Sequence, residues 1–388
     1  MTDLPPQRLC SGCGACSAVC QVDAIRMVDN SEGFTVPDVD AEKCVRCGCC
    51  EQVCPVLHAP PKYDDGLHGF VARRRVGDMR SKSSSGGIFL ALAERFVADG
   101  GVVYGASFSD DFRSVRHVRV EKSFDLEKLA KSKYAQSVCE KTLYRQVAKD
   151  AREGRKVLFS GMPCQVAGVK RYLGVADNVF FVDLICNSVP SPLLFSKFSD
   201  LMHRKCGIDR ALAFKMRADD GFRPFLFQLE NKKGKWKRFP ALTRLYVHLW
   251  MGGFANRQSC ENCMSKGRSG SDMTLGDAWG VQQWFVDRDD GRGLSSVIVN
   301  TPQGEKLFNS IRSDCISTPV PPLAILKGNA SLRKCLVSSS SLDEARAILF
   351  HSLKHDENWV RWLKKVSKMR FIDRLGRKIL RMIKLKKF

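Results

Sequence analysis

Short apolar runs alternate with amphipathic stretches along most of the chain, which predicts strands connected by helices. Apolar runs bounded by turn residues predict strands over residues 102–108, 115–120, 155–160 and 179–186. Apolar positions recur at helical spacing in Ile88–Asp99, which two glycines follow, and again in Gln165–Leu173. Because this order of strand, loop and helix recurs, we expect a mixed α/β body in which ligands bind where strands end.

The two ends of the chain differ from this body. Ala24–Val28 and Gly33–Pro37 predict two short strands of a small α+β module. Near the other end, Ser341–Glu344 has the pattern of a capping box and precedes a predicted helix over Ala345–Leu353. Prolines and glycines over residues 55–70 predict a linker between the first module and the body.

Two cysteine runs in the first sixty residues share the spacing C-x2-C-x2-C-x3-C, which is typical of 4Fe–4S ligands in two-cluster bacterial ferredoxins. Three closely spaced thiolates on one loop can hold three corners of a cluster, and the fourth thiolate comes from the other run. The predicted first set is Cys10, Cys13, Cys16 and Cys54, and the predicted second set is Cys44, Cys47, Cys50 and Cys20. Zinc knuckles built on C-x2-C pairs are the alternative, and eight cysteines in this double register favour clusters. Cys49 lies between ligands and is an alternative ligand.

Four further cysteines lie at predicted strand ends or in one loop, and they are Cys164, Cys186, Cys260 and Cys263. Together they could hold a third 4Fe–4S cluster or a zinc ion. The alternative is that Cys164 and Cys186 are buried small hydrophobic residues, which is common for cysteine. The remaining cysteines show no spacing pattern and are predicted to be structural: Cys139, Cys206, Cys315 and Cys335.

The segment Ser83–Gly87 is a serine- and glycine-rich turn that leads into the first predicted helix of the body. Free N–H groups, hydroxyls and the positive end of a helix suit a phosphate or pyrophosphate. The alternative is a helix N-cap without a ligand. The segment lacks both a Walker lysine and a G-x-G-x-x-G pattern, so neither of those nucleotide-binding folds is indicated.

Composition places the chain among folded proteins with reduced thiols. With 388 residues and 44% hydrophobic content, the chain can build two or three cores. No apolar run approaches the roughly 18–20 residues of a membrane-spanning helix, and the start lacks the pattern of a signal peptide. We therefore expect a cytoplasmic protein, in which 17 cysteines indicate metal or redox chemistry rather than disulfides.

Of the net charge of +22, +7 lies in residues 370–388, which hold eight Lys or Arg and one Asp, and +15 is spread over the other 369 residues. Apolar positions in 370–388 fall on one helical face and basic positions surround it, which suits contact with the inner face of an anionic membrane. Docking on the body or on a partner is the alternative. The sequence lacks basic–aromatic interleaving, so no nucleic-acid partner is predicted.

Six motifs follow one another along the body: Ser83–Gly87, Gly100–Gly105, Ser132–Ser137, Leu158–Gly168, Val182–Cys186 and Cys260–Gly280. Together with the cysteine runs they span about residues 8–300. In this order they resemble the beta-subunit family of coenzyme F420 (deazaflavin) hydrogenase and dehydrogenase, in the bacterial type with a fused two-cluster ferredoxin module. Met162 and Asn187 depart from the family pattern, in which Thr and His are usual.

The resemblance implies an iron–sulfur flavoprotein with FAD as the expected flavin. It implies that Cys164, Cys186, Cys260 and Cys263 bind a third cluster near the flavin. The expected flavin-pocket residues are Ser84, Ser85, Gly86, Gly87 and Lys133. Lys133 would lie near the flavin ring or a phosphate, unless it is a surface lysine. Asp277 is expected to orient the cofactor, unless it is a turn residue.

The predicted fold class is α+β, with a small two-cluster ferredoxin-like domain, a mixed α/β flavin-binding catalytic body and a C-terminal helical extension. The predicted divisions are a ferredoxin domain over 1–58, two parts of the catalytic body over 59–150 and 151–328, and the extension over 329–388. The basic amphipathic tail falls within that extension.

The predicted function is an oxidoreductase that moves electrons between clusters, a flavin and an organic acceptor or deazaflavin. Lys133 and Asp277 are its candidate catalytic residues. Clusters carry single electrons whereas most organic reductions need two, which gives a chemical reason for a flavin. The alternative is a non-enzymatic subunit that connects partner redox proteins. The expected partner is a redox protein or reduced coenzyme. A homo-oligomer is compatible with the sequence, and the resemblance suggests a polysaccharide-related pathway.

Overall fold

The computed structural model describes residues 2–61, 68–75, 78–208, 211, 213–216, 225–267, 269–281, 284–285, 289–329, 340–355 and 359–360. The basic tail over 370–388, for which membrane contact was predicted, lies outside the described residues. Among the described helices, none is long and apolar enough to cross a membrane.

Thirteen strands lie in the described part of the chain. They are β1 (Ile25–Asp29), β2 (Thr35–Val39), β3 (His68–Arg74), β4 (Val102–Phe108), β5 (Val115–Val120), β6 (Val157–Gly161), β7 (Val179–Leu184), β8 (Ala213–Lys215), β9 (Gln228–Glu230), β10 (Trp236–Arg238), β11 (Met273–Asp277), β12 (Ser295–Val299) and β13 (Cys315–Val320).

The described α-helices are α1 (Ala15–Val19), α2 (Cys49–Gln52), α3 (Asp78–Ser81), α4 (Ile88–Ala98), α5 (Lys141–Arg152), α6 (Pro163–Leu173), α7 (Pro192–Cys206), α8 (Pro240–Met251), α9 (Pro302–Asn309), α10 (Pro322–Gly328) and α11 (Ser340–His355). Short 3₁₀ helices cover Ser123–Leu129, Gln258–Cys260 and Arg312–Asp314.

An eight-stranded mixed sheet forms the body, with strand order β13-β3-β12-β11-β7-β6-β4-β5. The central strands β4, β6, β7 and β11 are parallel, and the strands outside them pair antiparallel. Parallel strands need covering on both faces, and Val157, Leu158 and Phe159 of β6 are accordingly fully buried. This large mixed sheet confirms the predicted α+β class at the level of its architecture.

The predicted body elements are confirmed with small shifts at their ends. Strands β4 and β5 keep the predicted bounds and pair antiparallel with each other. Helix α6 begins at Pro163, two residues before its predicted start, because proline suits the first turn of a helix. The predicted capping box is wrong, since Ser341 lies inside α11, which extends over Ser340–His355.

The two short strands predicted in the N-terminal module are present as β1 and β2, which pair antiparallel, and the module packs directly on the body. The Tyr144 hydroxyl of α5 donates to the Cys13 carbonyl at 2.7 Å. The buried Arg257 donates to the carbonyls of Cys10 (2.6 Å) and Thr35 (2.8 Å). The first cysteine run is therefore held against the body by buried hydrogen bonds.

Candidate redox site

The structure brings the first predicted cysteine set together on the inner side of the small module. Burial, together with smaller effects of the neighbouring Cys10 and Cys54, raises the pKa of the Cys13 thiol to about 11. Burial likewise raises the pKa of Cys16, with Cys13, Cys10 and Cys54 adding to the effect. The Gly12 N–H donates to Cys10 Sγ at 3.3 Å, and its φ of 67° lies in the region that glycine tolerates. The loop therefore turns a backbone donor toward a sulfur, as a cluster loop does.

The second predicted set lies on a more exposed loop. Val45 is 65% exposed and Cys47 is exposed, whereas Cys50 is buried. The Cys50 thiol, whose pKa burial raises, lies near Cys47. The thiol of Cys20, from the first run, is close enough to Cys49 to interact electrostatically. The fourth cysteine of one run therefore approaches the loop of the other, as the double spacing predicts.

The four cysteines from the body, called here the third cysteine group, also lie close to one another. Burial raises the pKa of Cys164, and Cys263, Cys186 and Cys260 each raise it further. All four border a small cavity of about 40 Å³, and Leu9 and Ser11 of the N-terminal module also line it. Cys13 also acts electrostatically on Cys164. The third cysteine group therefore lies beside the first set.

Two cations lie beside the third cysteine group. The pKa of Cys260 is raised to about 11, because burial outweighs the opposite effect of the neighbouring Arg257 and Lys266. Both cations border the small cavity. An all-thiol donor set next to positive charge fits an anionic iron–sulfur group. Within the described residues, no group of three or more His, Cys, Asp or Glu side chains is arranged to hold a single metal ion.

A larger cavity of about 540 Å³ opens at the carboxyl ends of the parallel strands, and it is called here the main cavity. This volume is within the range of roughly 300–1,000 Å³ that is usual for ligand sites. The ends of β4, β6, β7 and β11 all contribute residues to its wall. Of the predicted flavin and catalytic residues, the wall includes Ser84, Ser85, Gly87, Lys133 and Asp277. The position of the main cavity agrees with the expectation, drawn from the sequence, that ligands bind where strands end.

Hydrogen bonds fix the serine–glycine turn at the edge of the main cavity. Ser132 Oγ donates to Ser84 Oγ at 2.8 Å, and Ser85 Oγ donates to the Leu294 carbonyl at 2.5 Å. Gly87 caps α4 with a φ of 84°, a conformation that favours glycine. The hydrogen bond between Ser132 and Ser84, which are 48 residues apart in the chain, thus joins two of the six motifs.

Gly86 lies apart from the other predicted pocket residues, because it does not line the main cavity. A Cβ atom at Gly86 would lie 2.3 Å from the Ala72 carbonyl oxygen and 2.8 Å from the Ser295 nitrogen. The Gly86 N–H donates to Ser295 Oγ at 3.0 Å. The structure therefore assigns Gly86 to the close approach between the turn and the sheet, not to the cavity wall.

Lys133 lines the main cavity, but its amine is held by backbone. Lys133 Nζ donates to the carbonyls of Ala130 (2.6 Å) and Lys128 (2.9 Å), at the C-terminal end of a 3₁₀ helix. Burial lowers the Lys133 pKa to about 7. The neighbouring Lys131 has a φ of 61°, an uncommon conformation for a residue with a side chain. The segment thus brings two lysines to the cavity wall.

The sequence analysis did not single out two features of the main cavity. The first is an aromatic wall, in which Tyr134 lies 4.7 Å from Phe225 and 5.0 Å from Trp250, measured between ring centroids. The second is His117, which is buried in β5 and borders the cavity. The aromatic residues come from separate segments, and of the three only Tyr134 lies in one of the six motifs. The only signal for His117 was its inward position in an alternating strand.

The main cavity and the small cavity share a wall. Five residues border both: Met162, Cys186, Asn187, Ser188 and Val189. Cys186 follows β7 and belongs to the third cysteine group. Met162 and Asn187, the two departures from the family pattern, lie in this shared wall. Both departures from the family pattern therefore lie between the third cysteine group and the main cavity.

Family models match two parts of the chain. Residues 9–57 match the 4Fe–4S dicluster domain, and these residues include all eight cysteines that were predicted as cluster ligands. Residues 154–320 match the family described as the C-terminal domain of the coenzyme F420 hydrogenase/dehydrogenase beta subunit, and these include the third cysteine group. Two separate parts of the chain are therefore similar to a 4Fe–4S dicluster domain and to this beta-subunit domain. The resemblance inferred from the motifs is confirmed.

Two individual proteins show more limited similarity. A polyferredoxin-like protein of Methanocaldococcus jannaschii is 38% identical over 59 residues, which cover 13% of this chain and 35% of that protein. The chain therefore spans about a third of the length of that curated relative. A solved structure of the F420-reducing NiFe hydrogenase complex from Methanosarcina barkeri contains a chain 17% identical to this one. It covers 75% of this chain and 94% of that chain, with a TM-score of 0.47.

Proposed function

We propose that the chain is an iron–sulfur flavoprotein oxidoreductase that exchanges electrons between a one-electron donor and an organic acceptor or deazaflavin. An electron-transfer oxidoreductase follows from the dicluster and beta-subunit domains. The flavin, the third cluster and the acceptor are the finer parts of the proposal. The observation that carries them is the shared wall, in which Cys186 borders both the thiol-lined small cavity and the main cavity.

The proposed cofactors are two 4Fe–4S clusters in the small module, a third held by the third cysteine group, and FAD in the main cavity. When bound, the clusters would supply one-electron transfer and the flavin would supply storage of two electrons. The chain's part is to hold these groups close together. Tyr144 and Arg257 fix the first run against the body, and Cys186 stands between the two cavities.

The exposure of the two cysteine runs supports an order for electron flow. The second set presents Val45 and Cys47 to solvent, whereas Cys10 and Cys13 are only 8% exposed and face the body. We therefore expect a redox partner protein to meet the second set. The first set then lies between the surface and Cys164, which interacts with Cys13.

The division of the chain follows the same proposal. Residues 1–58 form the cluster-bearing module, and the ranges 59–150 and 151–328 together build the body, since both contribute strands to one sheet. The range 329–388 is proposed as an extension. A polysaccharide-related substrate stays a prediction. The aromatic wall of the main cavity suits a ring-shaped molecule.

Single-turnover reduction tests the proposed function. The anaerobic chain, loaded with iron, sulfide and FAD, is mixed with reduced methyl viologen while the flavin absorbance is followed. We expect rapid bleaching in the native chain and slow bleaching in Cys186→Ser, with Cys206→Ser as a control outside both cavities. Equal rates in all three would contradict a relay through the third cysteine group.

The alternative function is a non-enzymatic subunit that connects partner redox proteins. The exposed second set is the observation in its favour, because such a loop also suits contact between proteins. Bound flavin together with turnover of a small acceptor by the isolated chain would support the enzyme. A chain that carries clusters without binding FAD or FMN would support the connecting role.

A further inference from the structure

Helix α6 carries one member of the third cysteine group and contacts one member of the first set. Cys164 stands in the first turn of α6, and Gly168 follows one turn later on the same face. A Cβ atom at Gly168 would lie 3.1 Å from both Sγ and Cβ of Cys13. The Cys13 side chain therefore rests directly on α6 at Gly168.

This contact places Cys13 close to Cys164. Residues four apart on a helix have Cβ positions about 5–6 Å apart. Because Cys13 Sγ is 3.1 Å from the Cβ position of residue 168, it lies within roughly 9 Å of the Cys164 Cβ. Leu9 and Ser11 of the N-terminal module line the small cavity together with Cys164, which agrees with this short separation.

A second helix holds Cys13 against Gly168. The Tyr144 hydroxyl of α5 lies 3.0 Å from the same Cβ position, and it donates to the Cys13 carbonyl at 2.7 Å. Tyr144 is fully buried, and α1, which follows Cys13, packs against both α5 and α6. The first cysteine run and the two helices therefore meet at Gly168.

Glycine at this place in α6 is explained by the close approach. Gly168 lies in the middle of the helix, where glycine is less favourable than alanine. Contacts of 3.0–3.1 Å are shorter than the optimal separation of nonbonded atoms, so a methyl group at residue 168 would push Cys13 or Tyr144 away. Only a residue without a side chain lets the cysteine lie this close to α6.

We propose that Gly168 is a positioning residue, which sets the separation between the cluster of the first set and that of the third cysteine group. This inference rests on the proposed function, because it requires a cluster at the third cysteine group. In the transfer, one electron leaves the first cluster, which is oxidised, and enters the third, which is reduced, and no bond or proton changes place. Electron transfer slows steeply as the separation grows, so the contact of Cys13 with the helix that carries Cys164 favours it.

Magnetic coupling between reduced clusters tests the proposal. The chain is loaded with iron and sulfide, reduced anaerobically with dithionite and measured by electron paramagnetic resonance at low temperature. Cys186→Ser, expected to lack the third cluster, gives the spectrum of the first two clusters alone. Any additional splitting in the native chain therefore arises from the third cluster.

Two substitutions in α6 form a matched pair for this measurement. Gly168→Val should narrow the additional splitting while about 12 iron atoms remain, because dipolar coupling falls with the cube of the distance. Ala167→Val adds bulk at the neighbouring buried position, about 100° around the helix, and should leave the splitting at the native value. Equal narrowing in both variants would show a general distortion of α6 and overturn the inference.

The remaining outcomes separate this inference from the proposed function. If the native chain holds only roughly eight iron atoms, the third cluster and the role of Gly168 both fail. If the native chain holds full iron without additional splitting, or if Gly168→Val with full iron keeps the native splitting, only the role of Gly168 fails. If Gly168→Val loses iron or does not fold, Gly168→Ala decides, since it needs a shift of only a few tenths of an ångström. A smaller narrowing in Gly168→Ala supports the inference, and the native splitting overturns it.

Discussion

Replacement of Arg257 should loosen the cluster-bearing module from the body. The Arg257 guanidinium is 3% exposed and donates to three acceptors: the carbonyls of Cys10 (2.6 Å) and Thr35 (2.8 Å) and Gln136 Oε1 (2.9 Å). It also lies over the Phe34 ring, 5.3 Å from its centroid. Hydrogen bonds to a charged group contribute about 1.5–3 kcal/mol each, and the three are not additive. We expect Arg257→Met to lower the local opening free energy by about 3–5 kcal/mol.

A second arginine provides a matched control for this prediction. Arg171 also joins the body to the small module, since its Nε donates to the Gln52 carbonyl at 3.1 Å. That hydrogen bond is exposed, so water can replace it. We expect Arg171→Met to change the same free energy by less than about 0.5 kcal/mol.

Native-state hydrogen exchange measures both effects. In Arg257→Met, amide protection should fall in residues 10–16 and in β2, and it should remain at the native level in β6. The reasoning would be refuted if residues 10–16 kept native protection in Arg257→Met, or if Arg171→Met lowered it as much. Either result would mean that packing, rather than the buried guanidinium, holds the module in place.

Three further predictions concern other parts of the structure. Cys186→Ser should lower the iron content by about four atoms per chain. Cys139→Ser, a control at a buried position predicted to be structural, should leave the iron content unchanged. Equal iron content in Cys186→Ser and the native chain would contradict a third cluster. Gly86→Ala should lower the free energy of unfolding by about 1–3 kcal/mol, because the added Cβ would lie 2.3 Å from the β3 backbone. A melting temperature equal to that of the native chain would disprove this close approach. Burial raises the Asp150 pKa, but hydrogen bonds from Arg119 and the Tyr104 hydroxyl outweigh it and leave the pKa below its usual value. The stabilisation is therefore present above pH about 4 and lost as pH falls through the lowered pKa. Asp150→Asn should thus be less stable than the native chain at pH 7 and converge with it in acid, and a constant difference in denaturant midpoint down to pH 2 would contradict this.

Local patterns predicted β4 to β7, α4 and α6 of the body, because apolar runs or helical periodicity mark these elements clearly. They did not predict β3 or β8 to β13, and the predicted linker over residues 55–70 overlaps the start of β3. The bounds of β4 and β5 agree with the prediction, and α6 begins two residues early. The start of α11 was predicted wrongly, since a serine followed by a glutamate three residues later also occurs inside helices. Spacing alone indicated the cysteine sets, because ligands on one tight loop must be close in sequence.

The site within the body could be predicted only in part. Ser84 and Lys133 came from motifs, but the role of Gly86 in packing depends on how closely β3 and β12 approach the turn. The role of Gly168 could not be recognised, because it depends on the approach of Cys13 and Tyr144, which are tertiary contacts. The same holds for the aromatic wall, whose members meet only after the chain folds.

The content of iron, sulfide, zinc and flavin in one anaerobic preparation tests the central claim most directly. The account predicts roughly 12 iron and one flavin per chain, with sulfide equal to iron and no zinc. Roughly eight iron with zinc and no flavin would contradict it, because the third cysteine group would then be a structural zinc site beside an unused main cavity.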